Sequence, residues 1–194
     1  MSNKGKSFEA HPLEADEARR LVAAGRTVRD RAVLTLLWRG GLRANELCSL
    51  RMEHVRFIED GTAVIKINQP KNLKKGAPKR VVAIGKKATD LLRTWLERRG
   101  DEPGPFFRTH NGKRLCTSQI RRTVSMAGKQ ARLGRRVHPH ALRHTFAHSL
   151  YDEGVGVLEI QEALGHGSVD TTMVYLKDIG ATRVVSILAN RREW

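Results

Sequence analysis

The chain has 194 residues, 40% of them apolar, and its 36 Lys and Arg outnumber 20 Asp and Glu to give a net charge of +16. That is long enough to bury a core without staples and too apolar for a disordered chain, while no run approaches the roughly 18 apolar residues that a membrane span needs. Cys48 and Cys116 exclude a disulfide framework and fit a reducing, cytoplasmic compartment.

Residues 1–10 carry no apolar signal core and read as an exposed leader. Residues 14–24 read as a first helix, with Leu13, Leu21 and Val22 toward the interior. Residues 29–39 follow at helical spacing through Val33, Leu34, Leu36 and Leu37, and Gly40-Gly41 stops them. A short helix covers 44–50. The period then changes, and 55–58, 63–67 and 80–84 read as three short strands. Asp60-Gly61 turns the first pair, and a long basic connection, 68–79, joins the second. Residues 86–99 return to helix, ended by Gly100, and 117–133 form a basic helix with Gly128 as a weak point. Pro139 opens a helix over 139–153 that Gly154 closes, and 157–164 is another, closed by Gly165. Ser168 caps a helix through Tyr175, and Thr182 caps a last one to about Asn190. The expected fold is α+β, mainly α, with one small three-stranded antiparallel sheet.

The charge is unevenly spread. From Pro103 to Tyr151 there is no acidic residue, while ten Lys or Arg occur. Lys71, Lys74, Lys75, Lys79 and Arg80 share one ten-residue stretch. Phosphate contacts dominate nucleic-acid affinity, so two dense basic segments point to a face for a nucleic-acid backbone rather than to a merely solvated surface.

On the helix over 139–153, Leu142, Phe146 and Leu150 share a stripe, His140, His144 and His148 fall opposite, and Arg143 lies on the flank. His140 and Arg143 are neighbours at i, i+3. The helix thus pairs the side chain best shaped to fork onto a phosphate with one that exchanges a proton near neutral pH. The histidine spacing would also let two of them share a metal ion, but no HExxH occurs, no acidic residue lies near before Asp152, and so positive a field opposes a cation. Gly165 leaves His166 in the turn between two helices. Tyr175 lies about 120° from the apolar stripe of Val169, Met173 and Leu176. A tyrosine there is ordinarily a packing residue, and what distinguishes this one is His166 nine positions before it. In the turn after Gly40-Gly41, Glu46 stands at i+3 from Arg43 and can hold its guanidinium.

Taken in order, Gly41-Leu42-Arg43-x-x-Glu46-Leu47, His140-x-Leu142-Arg143-His144, Leu164-Gly165-His166 and Tyr175 resemble the signature of the tyrosine recombinase, or phage integrase, family, over about residues 11–178. The resemblance implies that family's catalytic fold across 11–180, followed by a C-terminal helix or tail, 181–194, that would dock on a neighbouring subunit or pack on its own domain. It implies a catalytic set of Arg43, a lysine between the second and third strands, His140, Arg143, His166 and Tyr175. Lys71, in Pro70-Lys71-Asn72, best matches that lysine, with Lys75 and Lys74 in reserve.

The implied reaction is site-specific DNA recombination through a 3′-phosphotyrosine. Tyr175 attacks the scissile phosphate, whose oxygens Arg43 and Arg143 clamp. His140 acts as general base or its helper, His166 donates to a phosphate oxygen, and Lys71 protonates the departing 5′ oxygen. No cofactor or metal is called for. The implied partners are double-stranded DNA and further copies of the chain, a tetramer on DNA, with no membrane. An inactive DNA-binding regulator of the same fold, a topoisomerase-like nicking and relaxing enzyme, and a His-based metallonuclease are the rivals. The match leaves no room for the family's N-terminal DNA clamp, as in an excised domain or in short members such as the fimbrial phase-switch invertases. DNA affinity should then be low and salt-sensitive.

Overall fold

In the computed structural model, which describes residues 12–67 and 80–165, the chain runs α1 (Ala15–Ala23), α2 (Val28–Arg39), α3 (Ala44–Ser49), a 3-10 turn (Met52–His54), β1 (Val55–Phe57), β2 (Ala63–Ile67), β3 (Arg80–Ile84), α4 (Lys86–Arg99), α5 (Thr117–Gln130), α6 (Pro139–Asp152) and α7 (Val157–Leu164). The expected leader, the connection with Lys71, Lys74 and Lys75, His166, Tyr175 and the C-terminal segment lie outside the described residues. The mainly helical architecture with one small sheet is as the sequence implied. The 3-10 turn was not anticipated.

α2 organises the core. Thr27 caps it, its hydroxyl accepting from the Asp30 amide at 3.0 Å. Ala32, Val33, Leu34, Thr35, Leu36, Leu37 and Trp38 are all buried, because α1, α3, α4, α5 and α6 pack around it. A helix surrounded on every side needs no amphipathic stripe. Gly40 ends α2, and Gly41 takes φ +57 to turn the chain into α3.

The sheet has the order β1-β2-β3 and both pairings are antiparallel. Val55 faces Ile65 in one ladder and Ile65 faces Val82 in the other. Asp60 closes the first turn, accepting from the Thr62 amide at 2.8 Å, with Gly61 at φ +87. Along β3, Arg80, Val82 and Ile84 point inward while Val81 and Ala83 are exposed, the period-two alternation of a half-buried strand.

α5 stops at Gln130, three residues short of the expected end, because the chain turns back through Arg132 at φ +52 and Gly134 at φ +66. Leu133 and Val137 then cover its inner face. Gly128 is also a packing position: a Cβ there would come 3.2 Å from the Val137 side chain. Beside the main core, Phe146 and Ala147 of α6 join Ile160 and Leu164 of α7 in a second cluster. Among the described residues no helix is long and apolar enough to cross a membrane.

Candidate active site

The turn between α2 and α3 delivers Arg43. A Cβ on Gly41 would lie 2.3 Å from the Phe146 ring, so α6 can pack on this turn only over a glycine. Arg43 occupies the N-cap of α3. Its amide donates to Glu46 Oε2 at 2.7 Å and its Nη1 to Glu46 Oε1 at 3.0 Å. The expected i, i+3 brace is therefore present. Nη2 donates to the Gly165 carbonyl at 3.3 Å, and the side chain remains 37% exposed.

Arg143 departs from its expected place on the flank of α6. It is 1% exposed, with Nη1 donating to the Gly41 carbonyl and Nη2 to the Leu164 carbonyl. Ala141, Leu142, Thr145, Phe146 and Ala147 are buried as well, so α2, α5 and α7 enclose a far wider arc than the apolar stripe marks. Opposite that arc, His140 is exposed and His144 and His148 are half-buried, as their spacing implied.

Arg43, His140 and Arg143 come together around one cleft of about 360 Å³, with Thr117 and Arg121 of α5 and His138 completing its wall. Sequence reasoning did not single out Arg121 or His138. Their signal was the acid-free basic stretch and the residue before the Pro139 helix start. Nearby protein strips part of the hydration of His140, and the charges of Arg143, His138, Arg43 and Arg121 add to that, so its pKa falls below the ordinary histidine value of 6.5. At neutral pH it is an unprotonated imidazole able to accept a proton. Burial, with the charges of His140, His148, His138 and Arg143, brings His144 lower, to about 4.

Beneath the cleft, Glu46 is 8% exposed and anchors three cations. Besides Arg43 it binds Arg80, 2.6 Å from Oε2, and lies 3.9 Å from Arg143. Burial raises its pKa, but Arg80, the Arg43 amide, Arg143 and the Arg43 guanidinium outweigh that and hold the carboxyl below its usual range. Arg80 thus leaves the basic cluster in which its neighbours in sequence placed it: it is 6% exposed and inward-facing. The signal was the alternation Arg80, Val82, Ile84, which assigns all three to one face. Its Nη1 donates to the Ala163 carbonyl. The last carbonyls of α7 are consequently shared out: Ala163 accepts from Arg80, Leu164 from Arg143 and Gly165 from Arg43. These are the acceptors a helix C-terminus leaves without intrahelical partners, and its negative dipole end favours cations. Gly165 itself is left-handed, at φ +63.

A basic cleft with one open guanidinium, a second beneath it and a neutral imidazole can hold a phosphodiester and take up a proton. Among the described residues no three His, Cys, Asp or Glu are grouped to hold a metal ion.

The chain as a whole is similar to known proteins. The model of the phage integrase family matches residues 11–179. A tyrosine recombinase XerC of Pseudomonas entomophila is 34% identical over 180 residues, 89% of this chain and 57% of that protein. The XerC of Shewanella oneidensis is 36% identical over 152 residues, covering 77% and 47%. The chain spans about half the length of these curated relatives. Among solved structures, the crystal structure of XerA recombinase superposes with a TM-score of 0.81 at 30% identity, over 94% of this chain and 66% of that one. XerH bound to a palindromic difH substrate shares the fold, with a TM-score of 0.75 at 24% identity over 94% of this chain and 54% of that one.

Proposed function

The chain belongs to the phage integrase family, and from that premise we propose that it is the catalytic domain, residues 11–180, of a site-specific recombinase that cuts and rejoins double-stranded DNA through a 3′-phosphotyrosine. The observation that carries this reading is the convergence of Arg43, His140 and Arg143 on one cleft, with the chain entering His166 bonded to both arginines.

The chemistry follows from the groups present. The Tyr175 hydroxyl oxygen attacks phosphorus, the bond from phosphorus to the 5′ oxygen breaks, and a 5′ hydroxyl leaves. A phenol with a pKa near 10 needs a proton acceptor at neutral pH, and His140, neutral because its pKa is depressed, is suited to that work. The exposed edge of Arg43 takes a non-bridging oxygen. Arg143 lies deeper, where its charge is least screened, and stabilises the extra negative charge of the five-coordinate state. Lys71, in the segment between Ile67 and Arg80, donates its own proton to the departing 5′ oxygen while His140 keeps the one taken from Tyr175, and His166 donates to a phosphate oxygen. Rejoining is the reverse step with a 5′ hydroxyl from a second duplex. The phosphotyrosine conserves the bond energy, so no nucleotide cofactor takes part. Exchange between two duplexes assigns four copies to the working assembly, with 181–194 as the docking segment, in the cytoplasm.

The deciding experiment incubates the protein in EDTA with a nicked suicide duplex, or with supercoiled plasmid scored for relaxation and trapped adduct, beside Tyr175→Phe. A covalent adduct formed in EDTA and absent from Tyr175→Phe is the expected result. An adduct unchanged in Tyr175→Phe would overturn the assignment of the nucleophile.

A further inference from the structure

Arg80 has no part in the phosphate chemistry just described, yet it is 6% exposed at the centre of the cluster that performs it. We propose that Arg80 is a positioning residue for strand cleavage: by gripping Glu46 and the last turn of α7 together, it sets where Arg43 and the chain entering His166 stand. The proposal rests on the recombinase reading above.

Three observations carry it. First, Arg80 joins separate elements. Nη2 donates to Glu46 Oε2 in α3 at 2.6 Å and to the Gly41 carbonyl at 3.4 Å, while Nη1 donates to the Ala163 carbonyl of α7. Only a planar fork spans such a set, since a lysine ammonium is a single point charge. Second, Glu46 divides its oxygens. Oε1 holds Arg43, and Oε2 holds Arg80 and the Arg43 amide. Arg143 lies 3.9 Å away as the alternative cation. Without Arg80, Glu46 turns toward Arg143, loosening Arg43 and altering the charge beneath the cleft. Third, shape adds to charge. A Cβ on Gly165 would come 2.8 Å from Arg80 Cδ, so the end of α7 rests directly on the Arg80 stem. That end is bonded to Arg143 and Arg43 through the next two carbonyls, so a shift of α7 moves both. Arg80 also begins β3, at the end of the segment that carries Lys71.

The test uses the full chain with supercoiled plasmid, measuring the rate of trapped covalent adduct and, separately, the affinity for a duplex. Arg80→Met and Arg80→Lys are compared with the wild type and with Thr27→Ala, a control that loosens a helix cap remote from the cleft. Arg80→Met is expected to keep duplex affinity within about twofold while forming adduct about 100-fold more slowly, the scale set by a misplacement of about 1 Å. Arg80→Lys is expected between the two, having charge but no fork. Thr27→Ala should cleave at the wild-type rate despite a lower melting temperature. An Arg80 variant that cleaves like the wild type overturns the proposal, as does a loss that Thr27→Ala reproduces. If Arg80→Met does not fold, Arg80→Lys decides alone: slower cleavage at unchanged affinity supports positioning, and a wild-type rate overturns it. A wild type that forms no adduct overturns the recombinase reading and this role with it, whereas adduct from the wild type and equally from both variants overturns only the role of Arg80.

Discussion

His144 and Glu46 both have lowered pKa values, the one kept neutral and the other kept charged by its surroundings. The His144 imidazole has its pKa lowered from 6.5 to about 4 by partial burial and by its neighbours His140, His148, His138 and Arg143. Between those two values the unfolded chain binds a proton that the folded chain refuses, so stability is full above pH 6.5 and falls as the pH drops toward 4. The loss from this residue is roughly 3 kcal/mol at most. Urea unfolding at neutral pH and near pH 4.5 should show the decline, and His144→Gln should flatten it. An unchanged pH slope in His144→Gln would remove His144 as its source. Glu46 is held charged rather than neutral, because buried arginines surround it, and its lowered pKa likewise makes stability fall as the pH drops. Glu46→Gln is expected to cost about 3–5 kcal/mol, the range for uncompensated buried charge, and to weaken cleavage through Arg43. Urea unfolding measures the first effect and single-turnover adduct formation the second.

Two glycines at helix ends set the site, Gly41 after α2 and Gly165 at the C-cap of α7. Gly41 combines φ +57 with the Phe146 ring 2.3 Å from where a Cβ would sit. Gly41→Ala therefore meets left-handed strain and overpacking together, and a loss of about 2–4 kcal/mol is expected in urea unfolding. Gly165 combines φ +63 with the Arg80 stem in the same way. The cap of α2 is a milder case. Thr27→Ala removes the acceptor for the Asp30 amide and should cost about 1 kcal/mol. The contrast between α2 and α6 shows how packing redraws a pattern. α2 buries seven consecutive residues from Ala32 to Trp38, and α6 buries Arg143 beside Leu142, because both lie between other helices.

Over the whole molecule, charge is partitioned by depth. Arg80 and Arg143 are sunk in the core beneath the cleft, whereas Arg121, Arg122, Lys129, Arg135 and Arg136 remain at the surface around α5. Phosphate contact by such surface cations releases counterions. The affinity for a duplex should therefore fall at least about tenfold between about 50 and 200 mM salt, with a slope that counts the phosphates neutralised. Fluorescence anisotropy across that range checks it, and a flat response would separate this surface from DNA binding.

Element types and their order were legible from one sequence, because periodicity, caps and turn glycines are local. The boundaries of α2, β2, β3, α4 and α7 fall within a residue of those expected. Arg43 braced by Glu46 was legible for the same reason, as an i, i+3 pair at a helix start. What tertiary structure alone decided was depth and partnership. Arg143 became a buried cation and Arg80 left the basic surface for Glu46, joined to it across 34 positions of sequence. Gly128 became a packing position under Val137. A charged residue's local pattern states its face but not what covers that face, and only the packing of α6, α7 and β3 against the α2–α3 turn supplied the carboxylate and carbonyls that these arginines bind inside the core.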